Sequence, residues 1–245
     1  MNSNIFLLFI DDCTRMTWVY FLKRKSNVFR KFLAFYNLIK TQYQKQIRIL
    51  RTNNGKEYIN NNMKTFFEGN GIVHQTTCVD TPQQNGVAER KNRTLLEMAR
   101  AIMIESNVPT SFWPEAIATT VYLNNRLPTS TLKYQTPITE LAQHTDLPSA
   151  LTLQPRVFGC TVYVHIPRSQ RTKFDPCAVK CVFVGYGFKQ KGYRCYNPIT
   201  DRMYTTLDCT FMESEFYYKP QLGSQGEISN DYLSCLLYTA DAADD

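Results

Sequence analysis

Alternating runs of apolar and polar residues divide the first half of the chain into strands and helices. Ile5–Ile10 and Thr17–Leu22 are continuous apolar runs around a polar turn, which predicts a β-hairpin. Residues 26–43 repeat apolar side chains at helical spacing and predict an amphipathic helix. Similar patterns predict strands at 47–50 and 72–75, and helices at 61–69, from Val87 onward and at 112–125. This order, β-β-α-β-α-β-α and a further helix, favours a mixed α/β sheet flanked by helices.

The pattern changes after residue 126. Four prolines space residues 127–155, which predicts a linker with a short helix near 137–143. From Arg156 the apolar period becomes two, in the runs VFGCTVYVHIP, VKCVFVGY, GYRCYNP and RMYTTLDCTFME, which predict a small β-barrel. We therefore predict an α/β domain at 1–126, a linker at 127–155, an all-β barrel at 156–218 and an unstructured tail at 219–245. The last eleven residues, CLLYTADAADD, resemble a translated sequencing adapter and are excluded from the fold prediction.

Positive charge is spread over both predicted domains. Residues 1–150 carry 18 basic and 11 acidic side chains, residues 151–219 carry 10 and 5, and the tail carries only 5 acidic ones. A basic surface of this kind favours a polyanion partner such as nucleic acid. No apolar run approaches the roughly 18 residues of a membrane span, and no signal peptide is recognisable, so we expect an intracellular protein without a membrane partner.

The eight cysteines do not form paired C-x-x-C motifs, and the chain has only three histidines. Several cysteines fall inside strand-like runs, so we expect buried, reduced thiols. The alternative is a metal site with Cys177, Cys181 and Cys195 among its ligands.

A charged polar segment lies between the run at 72–75 and the long helix. Residues 80–93 read DTPQQNGVAERKNR, a loop that leads into the first helical turn. At helical spacing Glu89, Asn92 and Arg93 share a face, which sets a carboxylate beside groups that bind phosphate. Taken alone, this spacing is also typical of a solvated, charge-paired helix.

The segment TPQQNGVAERKNR closely resembles the third catalytic motif of integrases of Copia-type (Ty1/copia) LTR retrotransposons. The resemblance continues through LRTNNGKEY, FIDDCTRMTWVYFLK, VPTSFWPEA, FGCTVYVHIP and KCVFVGY, and covers nearly everything from about residue 5 to residue 217. It implies an α/β ribonuclease-H-like integrase core followed by a small all-β SH3-like barrel. It also implies that the core's first, central strand precedes this chain. We therefore expect two unpaired sheet edges, a loosened sheet and poor solubility.

The resemblance further implies a catalytic site that holds two Mg²⁺ or Mn²⁺ ions between two Asp and one Glu. Glu89 matches the family's Glu, whereas the second acid is replaced by Asn53, whose amide has no charge and little capacity to bridge two ions. The family's first acid lies upstream of the matched segment. Asp11 and Asp12 match an additional pair of the family, so we interpret them as hairpin and Arg15-pairing residues and not as substitutes for the missing acid. Glu57 is a still weaker candidate for that substitution.

We therefore predict a fragment of a DDE-type integrase that is inactive in strand transfer. Its metal ligands would be Glu89 and, weakly, Asn53, and its expected partners are element ends and target DNA within an oligomer, with no small-molecule substrate. Expected location is the nucleus or a retrotransposon particle. The alternative is a non-enzymatic nucleic-acid-binding remnant or a pseudogene translation without a selected function. Predicted nucleic-acid contacts are Gln84, Asn85, Arg90, Lys91, Asn92 and Arg93, together with basic barrel turns at Arg168, Arg171, Lys173, Lys189 and Lys191.

Overall fold

The computed structural model describes residues 5–77, 86–187 and 190–219. Its internal contacts divide the chain into two compact units. Among the described residues, one unit runs to Arg93 and also includes Glu140–Asp146, whereas the other comprises Thr94–Thr139 and the residues from Leu147 to Lys219.

The first unit opens with the predicted hairpin of β1 (Ile5–Ile10) and β2 (Thr17–Leu22), which pair antiparallel. In the turn, Asp11 Oδ2 accepts hydrogen bonds from the backbone nitrogen (2.9 Å) and hydroxyl (2.7 Å) of Thr14. Asp12 forms an ion pair of 2.6 Å with Arg15. Both strand boundaries are confirmed, and so is the interpretation of the two aspartates as turn residues.

Aromatic side chains from two helices form the core of this unit. α1 (Val28–Gln42) contributes Phe35, whose ring stacks on Phe9 at 4.2 Å, and Phe32, which is completely buried. α2 (Asn61–Asn70) contributes Phe67, whose ring meets Phe32 edge-on at 5.5 Å. These contacts cover one face of the hairpin, so the apolar periodicity of the sequence corresponds to real burial.

The unit contains a second, separate sheet. β3 (Ile49–Thr52) and β4 (Val73–Thr76) pair in parallel, with Ile49 opposite Val73. Among the described residues no strand joins this sheet to the hairpin, which leaves two two-stranded sheets. That the core's first, central strand precedes this chain stays a prediction, and so does the poor solubility expected from it. β3 begins two residues later than the sequence predicted. Its boundaries are set by the parallel pairing with β4, which involves residues 49–52 and not residues 47–50.

Three further helices follow: α3 (Gly86–Ser106), α4 (Trp113–Asn124) and α5 (Pro137–Ala142). Pro114 is buried in the first turn of α4, where a missing backbone N–H carries no cost. The observed order confirms the predicted β-β-α-β-α-β-α pattern and the helix after it.

The last part of the second unit is a five-stranded antiparallel sheet in the order β8-β7-β6-β5-β9. It bends so strongly that the rings of Tyr193 on β7 and Phe211 on β9 meet at 4.9 Å, although two strands lie between them. The predicted single run at 202–213 is wrong: a turn at Leu207 and Asp208 splits it into two strands. The strands are β5 (Cys160–His165), β6 (Ala178–Tyr186), β7 (Tyr193–Asn197), β8 (Arg202–Thr206) and β9 (Cys209–Phe216).

α4 packs directly against this sheet. The rings of Tyr122 and Tyr186 stack at 3.6 Å, and the Tyr122 hydroxyl donates a 2.5 Å hydrogen bond to the Leu153 carbonyl. The second compact unit therefore includes α4, which the sequence assigned to the α/β domain. The two compact units have different boundaries from the predicted domains at 1–126 and 156–218. The division of the chain into those two domains stays a prediction.

Candidate functional site

The charged segment singled out in the sequence forms the start of α3. Glu89 lies in the first helical turn and its side chain is exposed, as are those of Arg90 and Arg93. Lys91 and Asn92 are half-buried. The helix therefore presents one carboxylate and two guanidinium groups to solvent, whereas Asn92, which the helical spacing set on the same face as Glu89 and Arg93, is half-buried. Gln84 and Asn85 lie outside the described residues.

Lys91 faces a second cation. Burial, followed by the positive charge of Arg15 at the hairpin turn, lowers the pKa of the Lys91 ammonium below its ordinary value. The two cations come from separate elements, and Arg15 also pairs with Asp12 of its own turn at 2.6 Å. Sequence reasoning selected Lys91 but not Arg15, because the two residues are distant in the chain.

Asn92 differs from its charged neighbours. Its side-chain oxygen is buried and has no hydrogen-bond partner in the part of the chain that the structure describes. A buried acceptor of this kind is costly unless something satisfies it. Asn92 therefore differs in its surroundings from the exposed Arg90 and Arg93.

Asn53 directly follows β3 and is exposed. Its side-chain oxygen accepts a hydrogen bond of 3.2 Å from the backbone nitrogen of Gly55. A methyl group added at Gly55 would lie 3.0 Å from that oxygen and 2.8 Å from the Glu57 carboxylate. Asn53 and Glu57 are consequently brought to the same side of a tight turn. The sequence offers one signal for this proximity, the turn-forming N-N-G at residues 53–55.

The base of this turn is fixed by hydrogen bonds between β3 and β4. Thr52 Oγ1 lies 2.8 Å from Nε2 of His74 and donates to the Asn53 carbonyl at 2.9 Å. Burial lowers the pKa of His74 below its ordinary value of 6.5. A neutral imidazole is therefore favoured in the folded protein, and it helps to position the residues that follow β3.

The donor set does not fit a two-metal site. Over residues 5–77, 86–187 and 190–219, no group of three His, Cys, Asp or Glu side chains is arranged to hold a metal ion. Asn53 supplies a neutral oxygen that already accepts a hydrogen bond, and Glu89 supplies the one carboxylate of the predicted pair. Two divalent ions need several carboxylate oxygens to balance their charge.

The basic turns of the C-terminal sheet are mostly exposed, as predicted for Arg168, Lys173 and Lys191. Arg171 is half-buried and donates a hydrogen bond of 3.1 Å to the Cys177 sulfur. Lys189 lies outside the described residues. Cys181 and Cys195 are both buried in the sheet core, whereas Cys177 is exposed, so the three do not form the alternative metal site weighed above.

The fold defines a two-part chain, an α/β unit with the element order of a ribonuclease-H-like core and a unit that contains a five-stranded antiparallel sheet. Residues 160–225 match the family model of the retroviral polymerase SH3-like domain. The Retrovirus-related Pol polyprotein from transposon TNT 1-94 of Nicotiana tabacum is 39% identical over 214 residues, which are 87% of this chain and 16% of that polyprotein. The corresponding polyprotein from transposon RE1 of Arabidopsis thaliana is 34% identical over 93% of this chain and 15% of its own length.

The homologues are thus Copia-type Pol polyproteins, and the chain matches a segment that spans about one sixth of their length. Among solved structures, a simian T-cell lymphotropic virus intasome chain is 16% identical with a TM-score of 0.47, over 84% of this chain and 71% of that chain. The HTLV-2 integrase catalytic core, solved with magnesium, is 19% identical with a TM-score of 0.42, over 54% and 80%. Likeness at these scores supports no conclusion about this chain's chemistry.

The helices in the described segments include none with the length and apolar character needed to span a bilayer.

Proposed function

We propose that this integrase-related segment contacts nucleic-acid phosphates through the start of α3 and does not catalyse DNA strand transfer. The observation that carries the second half of the proposal is Asn53. At the position where the family resemblance implies a metal-binding Asp, the chain has a neutral amide whose oxygen already accepts the Gly55 N–H. As part of the same proposal, the segment acts in the nucleus or in a retrotransposon particle.

The charge requirement explains the expected inactivity. Two divalent ions carry four positive charges, and a bridging ligand must contact both of them. An amide offers one neutral oxygen and cannot supply that charge. Glu89 retains an exposed carboxylate in the first turn of α3, yet one carboxylate does not hold two ions.

A joining assay tests this half of the proposal. The purified chain is incubated with labelled DNA ends and target DNA in Mg²⁺ and, separately, in Mn²⁺. We expect no joined product with either metal. A metal-dependent product that disappears in the Glu89→Gln variant would show that the chain is a working enzyme.

The phosphate-binding half rests on the cations that converge near α3. Arg90 and Arg93 are exposed on the helix, while Lys91 lies beside Arg15 of the hairpin turn. Guanidinium groups bind phosphate oxygens in a bidentate manner. Clustered cations also increase the affinity for DNA because their binding releases the counterions condensed on the phosphates. Such contacts fix position on a duplex and carry no sequence information by themselves.

A salt titration of duplex DNA binding tests the phosphate-binding half of the proposal. Fluorescence anisotropy of labelled DNA should show affinity that falls steeply with salt and depends little on sequence. Arg90→Gln and Arg93→Gln should each reduce the slope of log K against log salt by about one. Lys40→Gln, on the exposed side of α1, is the matched control because it removes the same charge elsewhere in the unit. Equal losses in all three variants would reject α3 as the contact surface.

If both assays show nothing, the remaining alternative is a translated remnant without a selected function.

A further inference from the structure

Four cysteines contribute to the core of the five-stranded sheet. Cys160, Cys181 and Cys195 are completely buried, whereas Cys209 is partly exposed. Burial is the chief cause that raises the pKa of Cys160 to about 12 and that of Cys181 to about 11. These two thiols therefore stay protonated at neutral pH.

The strand geometry sets Cys195 opposite Cys209. In the order β8-β7-β6-β5-β9 all neighbouring strands are antiparallel, so β7 and β9 also run in opposite directions. Their inner faces meet where Tyr193 contacts Phe211 at 4.9 Å. Cys195 lies two residues after Tyr193, and Cys209 lies two residues before Phe211. Side chains two apart share a face of a strand, so the next facing pair across the bend is Cys195 and Cys209.

The two thiols differ in acidity. A hydrogen bond with Cys195 is the chief cause that lowers the pKa of the Cys209 thiol, and the positive charge of Arg156 lowers it further. The same hydrogen bond, followed by burial, raises the pKa of Cys195. Cys209 is thus both the more accessible thiol and the one that ionises first, while Cys195 is held protonated directly behind it.

We propose that Cys195 and Cys209 are a redox pair, in which a peroxide oxidises Cys209 and Cys195 resolves it to an internal disulfide between β7 and β9. In the first step the Cys209 thiolate attacks a peroxide oxygen and the O–O bond breaks. This leaves a sulfenic acid on Cys209, and the departing hydroxide takes up the proton that Cys209 released. In the second step the Cys195 sulfur attacks the sulfenyl sulfur, the S–O bond breaks, and the oxygen leaves as water with the Cys195 proton. For hydrogen peroxide, two thiols give one disulfide and two waters.

The experiment uses the full chain with Cys13, Cys78, Cys177 and Cys235 replaced by serine, so that only the four core cysteines remain. The folded protein is treated with hydrogen peroxide, quenched with acid, denatured, alkylated and digested with trypsin. Trypsin cleaves after Arg194 and Arg202, so Cys195 and Cys209 fall on separate peptides. We expect a disulfide-linked peptide pair by mass spectrometry, loss of two of the four free thiols and full recovery with dithiothreitol.

Single variants assign the roles. In Cys195→Ser, dimedone should trap a sulfenic acid on Cys209 and no linked pair should form. In Cys209→Ser neither product should appear. Cys160→Ala and Cys181→Ala are the matched controls and should retain the Cys195–Cys209 link, with near-UV circular dichroism verifying that each variant is folded.

Two results would overturn the proposal. One is a disulfide that joins a different pair of the four core cysteines in the folded protein. The other is a Cys195–Cys209 link that forms no faster in the folded chain than in urea, since the folded geometry is what brings the two sulfurs together. Consumption of thiols without any linked pair counts against the proposal in the same way.

Discussion

The Arg194 guanidinium of β7 donates a hydrogen bond of 3.2 Å to the Glu115 carboxylate of α4. Both side chains are largely withdrawn from solvent, with exposures of 17% and 12%. Glu115 lies in VPTSFWPEA and Arg194 lies in the C-terminal sheet, so two segments that the sequence assigned to different domains share one ion pair. This pair gives a direct way to measure how strongly α4 belongs to the sheet.

Glu115→Gln should destabilise the second unit by about 3 kcal/mol, because it removes the charged partner of an ion pair that is largely withdrawn from solvent. Urea unfolding followed by circular dichroism measures the loss. Glu215→Gln is the matched control: its carboxylate pairs with Lys180 at 3.1 Å, but both partners are nearly half-exposed, so removing it should cost less than about 1 kcal/mol. Similar losses in the two variants would mean that α4 is not held by the pair.

Gly159→Ala should destabilise the protein by about 2–5 kcal/mol. Gly159 has φ +78, which costs an L-residue about 1–2 kcal/mol, and an added methyl group would lie 2.8 Å from the Ser106 hydroxyl, an overpacking that costs about 1–3 kcal/mol. The unfolding midpoint in urea provides the measurement. Gly69→Ala in α2 is the control, since an added methyl group there has nothing within 4 Å and alanine suits a helix better by about 0.5–1 kcal/mol. That variant should therefore gain stability.

The stability of the first unit should fall on acidification below about pH 6.5. Burial lowers the pKa of His74 in the folded state, so the unfolded chain takes up this proton first as the pH falls. The loss of stability begins when the pH falls to the pKa of His74 in the unfolded chain. It ends once the pH falls below the pKa of His74 in the folded protein, because His74 is then protonated in both states. His74→Phe keeps a ring against Phe67, now 4.9 Å from the imidazole, and removes the titration. Unfolding free energies between pH 5 and 8 should therefore change less in His74→Phe, and an unchanged pH profile would contradict the assignment.

Asn53→Asp should increase affinity for Mn²⁺ by about tenfold, which corresponds to about 1.4 kcal/mol. Aspartate keeps the oxygen that accepts the Gly55 N–H and adds a negative charge on the side of the turn that faces Glu57. Calorimetric titration with Mn²⁺ measures the change. The double variant Asn53→Asp with Glu57→Gln serves as the control and should lose most of the gain. No difference between the single variant and the parent chain would show that Asn53 is not at a metal-binding position.

Local chemistry made several elements predictable. The hairpin boundaries follow from two uninterrupted apolar runs and from an Asp-x-x-Thr turn that satisfies its own hydrogen bonds. The start of α2 follows from Asn60, whose side chain caps the Met63 nitrogen, and its end from Gly71 in the left-handed region. In each case the residues that decide the boundary are neighbours in the chain.

Pairing between distant segments caused the errors. β3 was predicted at 47–50 and lies at Ile49–Thr52, because its register is set by parallel pairing with β4. The run at 202–213 divides at Leu207 and Asp208, where no glycine or proline marks the turn. The closeness of Glu57 to Asn53 likewise depends on how the turn at Gly55 folds.

The sequence by itself determined the family, the order of the elements and the neutral side chain at position 53, because these are properties of residue identity and short-range periodicity. Tertiary structure alone decided that α4 joins the C-terminal sheet, that Lys91 meets Arg15 and that Cys195 faces Cys209. The physical reason is that each of these pairs is separated by a dozen or more residues. Only the packing that closes those loops brings the side chains into contact.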